Sequence, residues 1–389
     1  MRTTVMITVA GVTAAFAAGL AGPATAAPEG PPGNKPSRAP DVSDTGRYVV
    51  FASDATNLVA GDTNRKLDVF IRDTVARTTR MVSRSRTGGP ANRASYWPTV
   101  SGDGRYVAFM SDATNLVRGD TNGKTDAFRT DLRTGKTIRV SVGPRGRQAN
   151  GASEGARMSG NGRSVAFGSA ASNLVAGDTN GVNDVFLRDL NTGQTRRISL
   201  SPTGGQLSQA TSGASISSNG SRVGMLNSAS EGTAYEWRRG TGTTTKLADG
   251  DAETEILGVV TSNGGTSFSG ETQLWDSYSA WTAVKAAPSD ESFFLEDAWL
   301  TLNLDVARWG AMAAVVEGYD GLAIVDDDYM VDHGAPQSTT PLATTEVDVD
   351  HWDAISMSAD GSVVAYRTYE GQIRAWNWRK GTDVLISQR

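Results

Sequence analysis

The chain has 389 residues, 44 of which are Gly, and carries a formal net charge of −5 at pH 7. It contains no Cys, which excludes disulfides, thiolate zinc sites, iron–sulfur clusters, a cysteine nucleophile and a lipid-modified cysteine anchor. Gly, Ser, Thr, Asn and Asp are abundant, and this composition is typical of many short strands joined by tight turns.

The first 26 residues have the pattern of a secretory signal peptide. Met1-Arg2 supplies a basic start, residues 5–20 are apolar, and Ala24-Thr25-Ala26 is an Ala-x-Ala cleavage motif. The apolar run is short and interrupted by glycines, so a membrane anchor is disfavoured and no membrane span is predicted. Residues 27–40 contain five prolines and predict a flexible linker. We therefore expect a secreted protein, or a periplasmic one if the cell has an outer membrane.

A repeat of 58 residues follows the linker and fills the predicted domain, residues 41–389. Its clearest marks are the turn glycines Gly46, Gly104 and Gly162, which are evenly spaced. An apolar strand follows each turn, then a loop, a strand such as Asp184–Asp189, a Thr-Gly turn and a fourth strand. Weaker copies continue the series, with turn glycines at Gly220, Gly264 and Gly361 and one inferred unit near Leu304–Trp309.

Seven such units of four strands predict an all-β fold, a seven-bladed β-propeller of four-stranded antiparallel blades. Strands such as Tyr106–Phe109 are apolar on both faces. This is expected if each small sheet packs between two others. Radial closure would then stabilise a chain that has no disulfides.

At these residues the chain resembles the WD40-like repeat of TolB-type β-propellers. The shared motifs are Ser-x-Asp/Asn-Gly-Arg-x-Val-Ala-Phe at 101–109, Asp-Val-Phe-x-Arg-Asp at 184–189 and Thr-Gly-x-Thr-x-Arg-x-Ser at 192–199. The resemblance is strong over 41–200 and weak over 271–355. It implies a binding scaffold with a central channel. TolB itself has six blades and a separate α/β domain that this chain lacks, so no role in a Tol envelope system follows.

The loop Gly-Asp-Thr-Asn-x-x-x-Asp occurs three times. It offers oxygen atoms at its aspartates and asparagine, namely Asp62, Asn64 and Asp68, then Asp120, Asn122 and Asp126, then Asp178, Asn180 and Asp184. Two interpretations are open: the side chains cap a turn, or they bind calcium, which takes six to eight oxygen ligands. The loops resemble the latter part of calcium-binding β-repeat loops, without their first acidic ligand. Calcium is the one cofactor predicted.

Tryptophan and acidic residues are concentrated near the end of the chain. Eight of the nine Trp lie after residue 236, together with the acids Asp326, Asp327, Asp328, Asp332, Glu346, Asp348, Asp350 and Asp353. Such a surface would suit an extracellular carbohydrate-active enzyme, a lyase or a glycoside hydrolase. Alternatively, the Trp side chains fill space between diverged blades. The sequence contains no Gly-x-Ser-x-Gly nucleophile elbow whose serine the two histidines, His333 and His351, could activate. No catalytic residue is predicted.

Charge is divided unevenly along the chain. Residues 41–200 carry 23 Lys and Arg against 15 Asp and Glu, whereas residues 201–389 carry 11 against 26. The basic part lacks the charge density and aromatic side chains of a nucleic-acid surface, so no nucleic acid partner is predicted. We expect a monomeric secreted scaffold that binds a protein or glycan at the channel or rim. The alternatives are the carbohydrate-active enzyme and, third, the regulatory propeller of a peptidase.

Overall fold

A computed structural model shows an almost entirely β-stranded protein. It describes residues 30–227, 232–249, 254–261, 266–274, 277–283, 305–306, 312–316, 321–325, 355–358, 362–368, 370–377, 380 and 382–389, with the backbone alone between 254 and 325. The predicted signal peptide, residues 1–26, lies outside this part of the chain. No helix among the described residues has the length and apolarity needed to cross a membrane.

The described strands form five four-stranded sheets and two three-stranded sheets, all antiparallel and all in chain order. The first three sheets contain β1 (Ser37–Val42), β2 (Tyr48–Ser53), β3 (Asp68–Asp73) and β4 (Thr78–Met81); β5 (Ser95–Val100), β6 (Tyr106–Ser111), β7 (Asp126–Asp131) and β8 (Lys136–Arg139); and β9 (Ser153–Met158), β10 (Ser164–Ser169), β11 (Asp184–Asp189) and β12 (Gln194–Arg197). A short 3-10 helix, Pro144–Gly146, lies between β8 and β9.

The remaining sheets continue the same pattern. They contain β13 (Thr211–Ile216), β14 (Arg222–Asn227), β15 (Thr233–Arg238) and β16 (Thr243–Asp249); β17 (Thr254–Thr261), β18 (Thr266–Leu274) and β19 (Ser277–Ala283); β20 (Asp305–Val306), β21 (Met312–Val316) and β22 (Gly321–Val325); and β23 (Ile355–Met357), β24 (Val363–Arg367), β25 (Ile373–Asn377) and β26 (Thr382–Leu385). Strands of each sheet contact strands of the next, and β23 and β24 of the last sheet contact β1. The sheets therefore close into a ring, and the all-β prediction is confirmed.

The hydrophobic core lies between neighbouring sheets. Val50 on β2 faces the second sheet and packs in a cluster with Phe109. Its neighbours Val49 and Phe51 point to the other side of the same strand and pack against the last sheet. All of these side chains are fully buried. Because both faces of β2 meet another sheet, the strand is apolar throughout, as the sequence predicts.

The glycines of the Asp/Asn-Gly turns place each sheet against the one before it. Gly104 has a φ of +70°, and a Cβ added to it would lie 1.9 Å from Cδ2 of Tyr48 in the first sheet. Gly46 bears the same relation to the last sheet, where its added Cβ would lie 2.2 Å from Cγ2 of Val363. Any side chain would collide with the neighbouring sheet, so both the turn and the packing require glycine.

Residues 32–33 and 387–388 close the ring by reproducing a turn that lies between neighbouring sheets. Pro32 forms a bridge with Gln388, as Pro90 does with Arg84 between the first and second sheets. The backbone N–H of Gly33 also donates to the carbonyl of Ser387, at 2.9 Å. The closing turn is therefore formed by two separate segments of the chain, one at Pro32 and one at Gln388. Each of the other described turns is a single continuous segment.

Residues 30–36 are accordingly an ordered part of this ring. Asn34 and Asn57 form the same contact as Asn92 and Asn115, with backbone N–H to Oδ1 distances of 2.9 and 3.0 Å. Strand β1 begins at Ser37, inside the segment 27–40 that was predicted to be a flexible linker. The ring therefore includes part of this segment, in line with the alternative that residues 30–40 supply a closing strand, because a proline-rich composition does not exclude pairing at a sheet edge.

An arginine after the turn glycine anchors the end of the third strand. The guanidinium of Arg105 donates to both carboxylate oxygens of Asp131, with an Nη2 to Oδ2 distance of 2.8 Å. These bonds hold the pKa of Asp131 at about 2, below the usual value of 3.8. Arg47 and Asp73 repeat the pair in the first sheet, at 2.9 Å.

We expect this pair to add stability that is lost in acid. A carboxyl whose pKa is lower in the folded state stabilises the fold above its unfolded pKa, and the contribution disappears as the pH falls from about 4 to about 2. Solvent screening of the partly exposed Arg105 guanidinium keeps the effect small. Urea unfolding of the wild type and of Asp131→Asn, at about pH 6 and pH 3, should show the difference between them shrinking in acid. A constant difference would contradict this role for the pair.

Candidate functional site

The three Gly-Asp-Thr-Asn loops connect the second and third strands of the first three sheets. In the first loop Asp62 is 9% exposed, and Asp68, the first residue of β3, is fully buried. Asp126 and Asp184 begin β7 and β11 and are fully buried as well. A buried carboxylate requires hydrogen bonds or a cation close by. The atoms around each loop therefore determine what it can hold.

The asparagine of each loop joins the turn to its aspartate. Asn64 Nδ2 donates to Asp68 Oδ2 at 2.6 Å and to the carbonyl of Ala91 at 2.9 Å, while its Oδ1 accepts the backbone N–H of Lys66. Equivalent bonds are made in the second loop by Asn122, Asp126, Ala149 and Lys124, and in the third by Asn180, Asp184 and Leu207. These are the bonds expected of a turn-capping side chain.

A serine from the segment after the fourth strand supplies the second partner of each buried aspartate. Ser83 donates its hydroxyl to Asp68 Oδ1 at 2.6 Å and accepts the backbone N–H of Val69. Ser141 and Ser199 do the same for Asp126 and Asp184. The last aspartate of each loop is therefore well bonded, and the loops differ at their first aspartate.

In the second and third loops an arginine lies between the two carboxylates. Arg139, the last residue of β8, approaches Asp120 at 3.2 Å and Asp126 at 3.4 Å. Its side chain is 8% exposed. In the third loop Arg197 approaches Asp178 at 3.1 Å and Asp184 at 3.5 Å. A guanidinium thus holds the place where the predicted cation would lie.

A glutamine completes these two loops. Gln148 Nε2 donates to Asp120 Oδ1 at 3.2 Å, and its Oε1 accepts the hydroxyl of Thr121. In the third loop Gln206 Oε1 accepts a bond from Arg197 at 2.6 Å. In the second loop the glutamine and the arginine both contact the first aspartate. In the third, Arg197 contacts Asp178, while Gln206 bonds to Arg197 and Thr179.

The first loop lacks both of these partners. Met81 pairs with Phe70 in the first sheet, just as Arg139 pairs with Phe128 in the second. At the position of the arginine the first loop therefore has the thioether side chain of Met81. Pro90 occupies the bridge position that Gln148 holds in the next turn. Neither carboxylate oxygen of Asp62 has a hydrogen-bond partner of normal geometry. The first loop therefore has the carboxylates of the others without their cation.

Burial controls the ionisation of this pair. It raises the pKa of Asp68 to about 7, against the opposing bonds from Ser83 and Asn64. It also raises the pKa of Asp62, partly offset by the nearby backbone N–H of Asn64. In the second loop Arg139 pulls the pKa of Asp120 back toward its ordinary value.

The described residues contain no group of three or more His, Cys, Asp or Glu close enough to hold a metal ion. Each loop presents two carboxylates and an asparagine whose amide is engaged in the turn. Calcium at the three loops thus stays a prediction. That arginines and glutamines complete the second and third loops was not predicted from the sequence. The signal was available, because positions 81, 139 and 197, occupied by Met81, Arg139 and Arg197, are separated by the repeat spacing of 58.

The other predicted site residues contribute little to a site in the described chain. His333, His351 and the acids from Asp326 to Asp353 lie outside the described residues. Three of the late tryptophans are within it, and the side chains of two are described: Trp237 is 3% and Trp376 is 7% exposed. Trp237 packs in the cluster between the third and fourth sheets. Both side chains belong to the hydrophobic core, so neither ring has an exposed face on which a sugar could stack.

A cleft of about 590 Å³ lies beside the first loop, between the first and second sheets. Its walls come from the loop at Val59–Gly61, from the end of β4, from the turn at Gly88–Pro90 and from β7 and β8. Arg80 and Arg84 line it, and both are exposed. The cleft is therefore basic and formed by the fold itself.

Comparison with known proteins supports the architecture. No protein-family model and no curated protein matches the chain. Among solved structures, a prolyl endopeptidase matches with a TM-score of 0.57 and 13% identity over 90% of this chain and 49% of that one. The chain spans about half the length of that enzyme. An oligogalacturonate lyase from Vibrio parahaemolyticus matches with a TM-score of 0.56 and 9% identity over 90% of both chains.

The β-propeller domain of the Trilobed protease from Pyrococcus furiosus, with an open velcro topology, gives a TM-score of 0.55 at 11% identity over 91% of this chain and 96% of that one. TolB from Acinetobacter baumannii also matches, with a TM-score of 0.41 and 15% identity over 68% of this chain and 55% of that one. Identities this low establish the fold alone. The predicted β-propeller fold is confirmed at that level by the propeller domain of the Trilobed protease.

Proposed function

We propose that this protein is a secreted, seven-bladed β-propeller that binds an acidic partner at the cleft between its first and second blades. The blade count is supported by the ring of five four-stranded and two three-stranded sheets, in which the last contacts the first. The signal-peptide pattern of residues 1–26 supports secretion. Propellers characteristically hold ligands on loops fixed by a rigid ring.

The observation that carries the binding proposal is the basic cleft. Its volume of about 590 Å³ is in the range of ligand sites. The exposed guanidinium of Arg80 is free to meet a carboxylate, and Arg84 is held in place by its bonds to the carbonyl of Gly88. The excess of Lys and Arg in residues 41–200 adds a field that attracts acidic surfaces. An acidic segment of a protein is the partner of choice, because no aromatic ring lines the cleft.

Reversing the charge of the cleft should abolish this binding. With a fluorescent hexa-aspartate peptide as the probe, Arg80→Glu combined with Arg84→Glu is expected to weaken binding at least tenfold, about 1.4 kcal/mol or more. The matched control is Arg145→Glu combined with Arg147→Glu, the same charge change at exposed positions of the next turn, for which we expect less than about a twofold loss. Equal losses in the two pairs would show that the whole basic surface acts and that the cleft has no special role.

The carbohydrate-active alternative requires a separate measurement. Its support is the fold shared with an oligogalacturonate lyase and the acidic, Trp-rich sequence after residue 236. Incubation with oligogalacturonate and with a panel of other polysaccharides would show turnover directly. Release of products that neutralising one late Asp abolishes would establish the enzyme and displace the binding proposal.

A further inference from the structure

The second and third loops show that the space between their two carboxylates is a cation site. In both, an arginine that is almost entirely buried places its guanidinium 3.1–3.5 Å from the two aspartates. The positive charge is supplied by the fourth strand of the same sheet. Because the repeat places the same elements around each loop, the first loop offers the same space to a cation.

The first loop has no cation from the protein itself. Met81 stands where the arginine would be, and Pro90 stands where the glutamine would be. None of the ion pairs formed by the described residues includes Asp62 or Asp68. Arg84, the nearest basic residue of the turn, directs its guanidinium to the carbonyl of Gly88 instead. The nine-tenths buried Asp62 thus lies close enough to Asp68 to interact with it electrostatically, and the described residues place no cation between the two.

We propose that the first loop, and not the second or third, binds one metal cation between Asp62 and Asp68, with calcium as the ion. Both oxygens of Asp62 are shielded from solvent, and among the described residues neither has a hydrogen-bond partner of normal geometry. The occupant must therefore be small enough to sit among the loop atoms, which excludes an arginine from a partner protein. Carboxylate, backbone carbonyl and water oxygens in an irregular arrangement are the ligands that calcium accepts, whereas magnesium demands a near-ideal octahedron.

Two carboxylates make a weak site. The Oδ1 of Asn64 already accepts the N–H of Lys66, so the other ligands must be backbone carbonyls and water. Sites of this type bind calcium with dissociation constants of roughly 10⁻⁴–10⁻³ M, which suits extracellular calcium concentrations. The site does not depend on the acidic partner proposed for the cleft, and it is measured without one.

Calorimetric titration of the chelator-treated full chain with calcium chloride should show about one ion per chain. At ten times the dissociation constant the ratio of folded to unfolded protein rises about elevenfold, so the melting temperature increases. Met81→Arg combined with Pro90→Gln rebuilds the second loop in the first position. We expect this variant to lose calcium binding and to melt higher than the metal-free wild type. Because it copies a loop that the chain already contains, folding is preserved.

Single aspartate variants provide the matched pair. Asp62→Asn is expected to abolish the calcium response, while Asp120→Asn in the second loop leaves it intact. Sodium chloride at the same ionic strength should leave the melting temperature unchanged. The proposal is overturned if the wild type binds no calcium, if sodium reproduces the shift, or if Met81→Arg with Pro90→Gln still responds.

Discussion

Replacing Arg139 with Met should lower the free energy of unfolding by about 3–5 kcal/mol, the usual cost of removing one partner of a buried ion pair. Asp120 and Asp126 would keep their burial and lose their cation, and Gln148 would remain as one weak donor. The substitution gives the second loop the residue that the first loop carries naturally at Met81. Its cost therefore measures how poorly two buried carboxylates tolerate the absence of a charge.

Urea unfolding followed by circular dichroism gives this number. Arg133→Met removes the same charge from an exposed position on the neighbouring turn, and we expect it to change stability by less than about 0.5 kcal/mol. The reciprocal variant Met81→Arg should be stabilising in the absence of metal. A loss below about 1 kcal/mol for Arg139→Met would mean that Asp120 and Asp126 are neutral in the folded protein.

Removing residues 30–36 should cost about 4 kcal/mol. The segment makes hydrogen bonds that no other part of the described chain can replace. They join Gly33 N–H to Ser387 O, Arg389 N–H to Pro31 O, Asn57 Nδ2 to Pro32 O, Thr56 N–H to Asn34 Oδ1 and Asp54 N–H to Pro36 O. Each contributes about 0.5–1.5 kcal/mol. Their loss would expose the edge of the last sheet at the point where the ring closes.

The comparison is between chains that begin at residue 30 and at residue 37. Thermal and urea unfolding of the two should differ by the stated amount, and the shorter chain should unfold over a broader range as the ring opens. Asn34→Ala and Asn92→Ala form a finer pair, because the two side chains make the same contacts. Equal losses of about 1 kcal/mol are expected. A neutral Asn34→Ala would show that the segment adds nothing to closure.

Strand order and packing could be predicted from the repeat because they depend on local patterns. An apolar strand such as β2 and a turn glycine such as Gly104 carry their own signals: a short continuous apolar run and a residue type that tolerates positive φ. The buried sites could not be predicted in the same way. Asp120 meets Arg139 across the sheet, and nothing in the loop itself indicates that partner.

The lead-in segment shows the opposite case, in which composition was misleading. The prolines of residues 27–40 favour a flexible linker, while Asn34 precedes Asn92 by the same 58 residues that separate the turn glycines. The spacing between Asn34 and Asn92 becomes meaningful only when the last sheet is seen to lie beside the first, because residues 30–36 then form part of the turn between them. Contacts that depend on ring closure are set by the whole fold and leave a weak trace in the local sequence.

The two-part closing turn means that the ring has no structural beginning. A Cβ on Gly30 would lie 2.7 Å from the carbonyl oxygen of Arg389, so these two residues are nearly in contact. Joining them with a few residues and opening the chain at Arg86–Gly88 would move the break by one blade and keep each strand beside its present neighbours. A circularly permuted chain of this kind should fold to the same ring, which circular dichroism and the melting temperature would show.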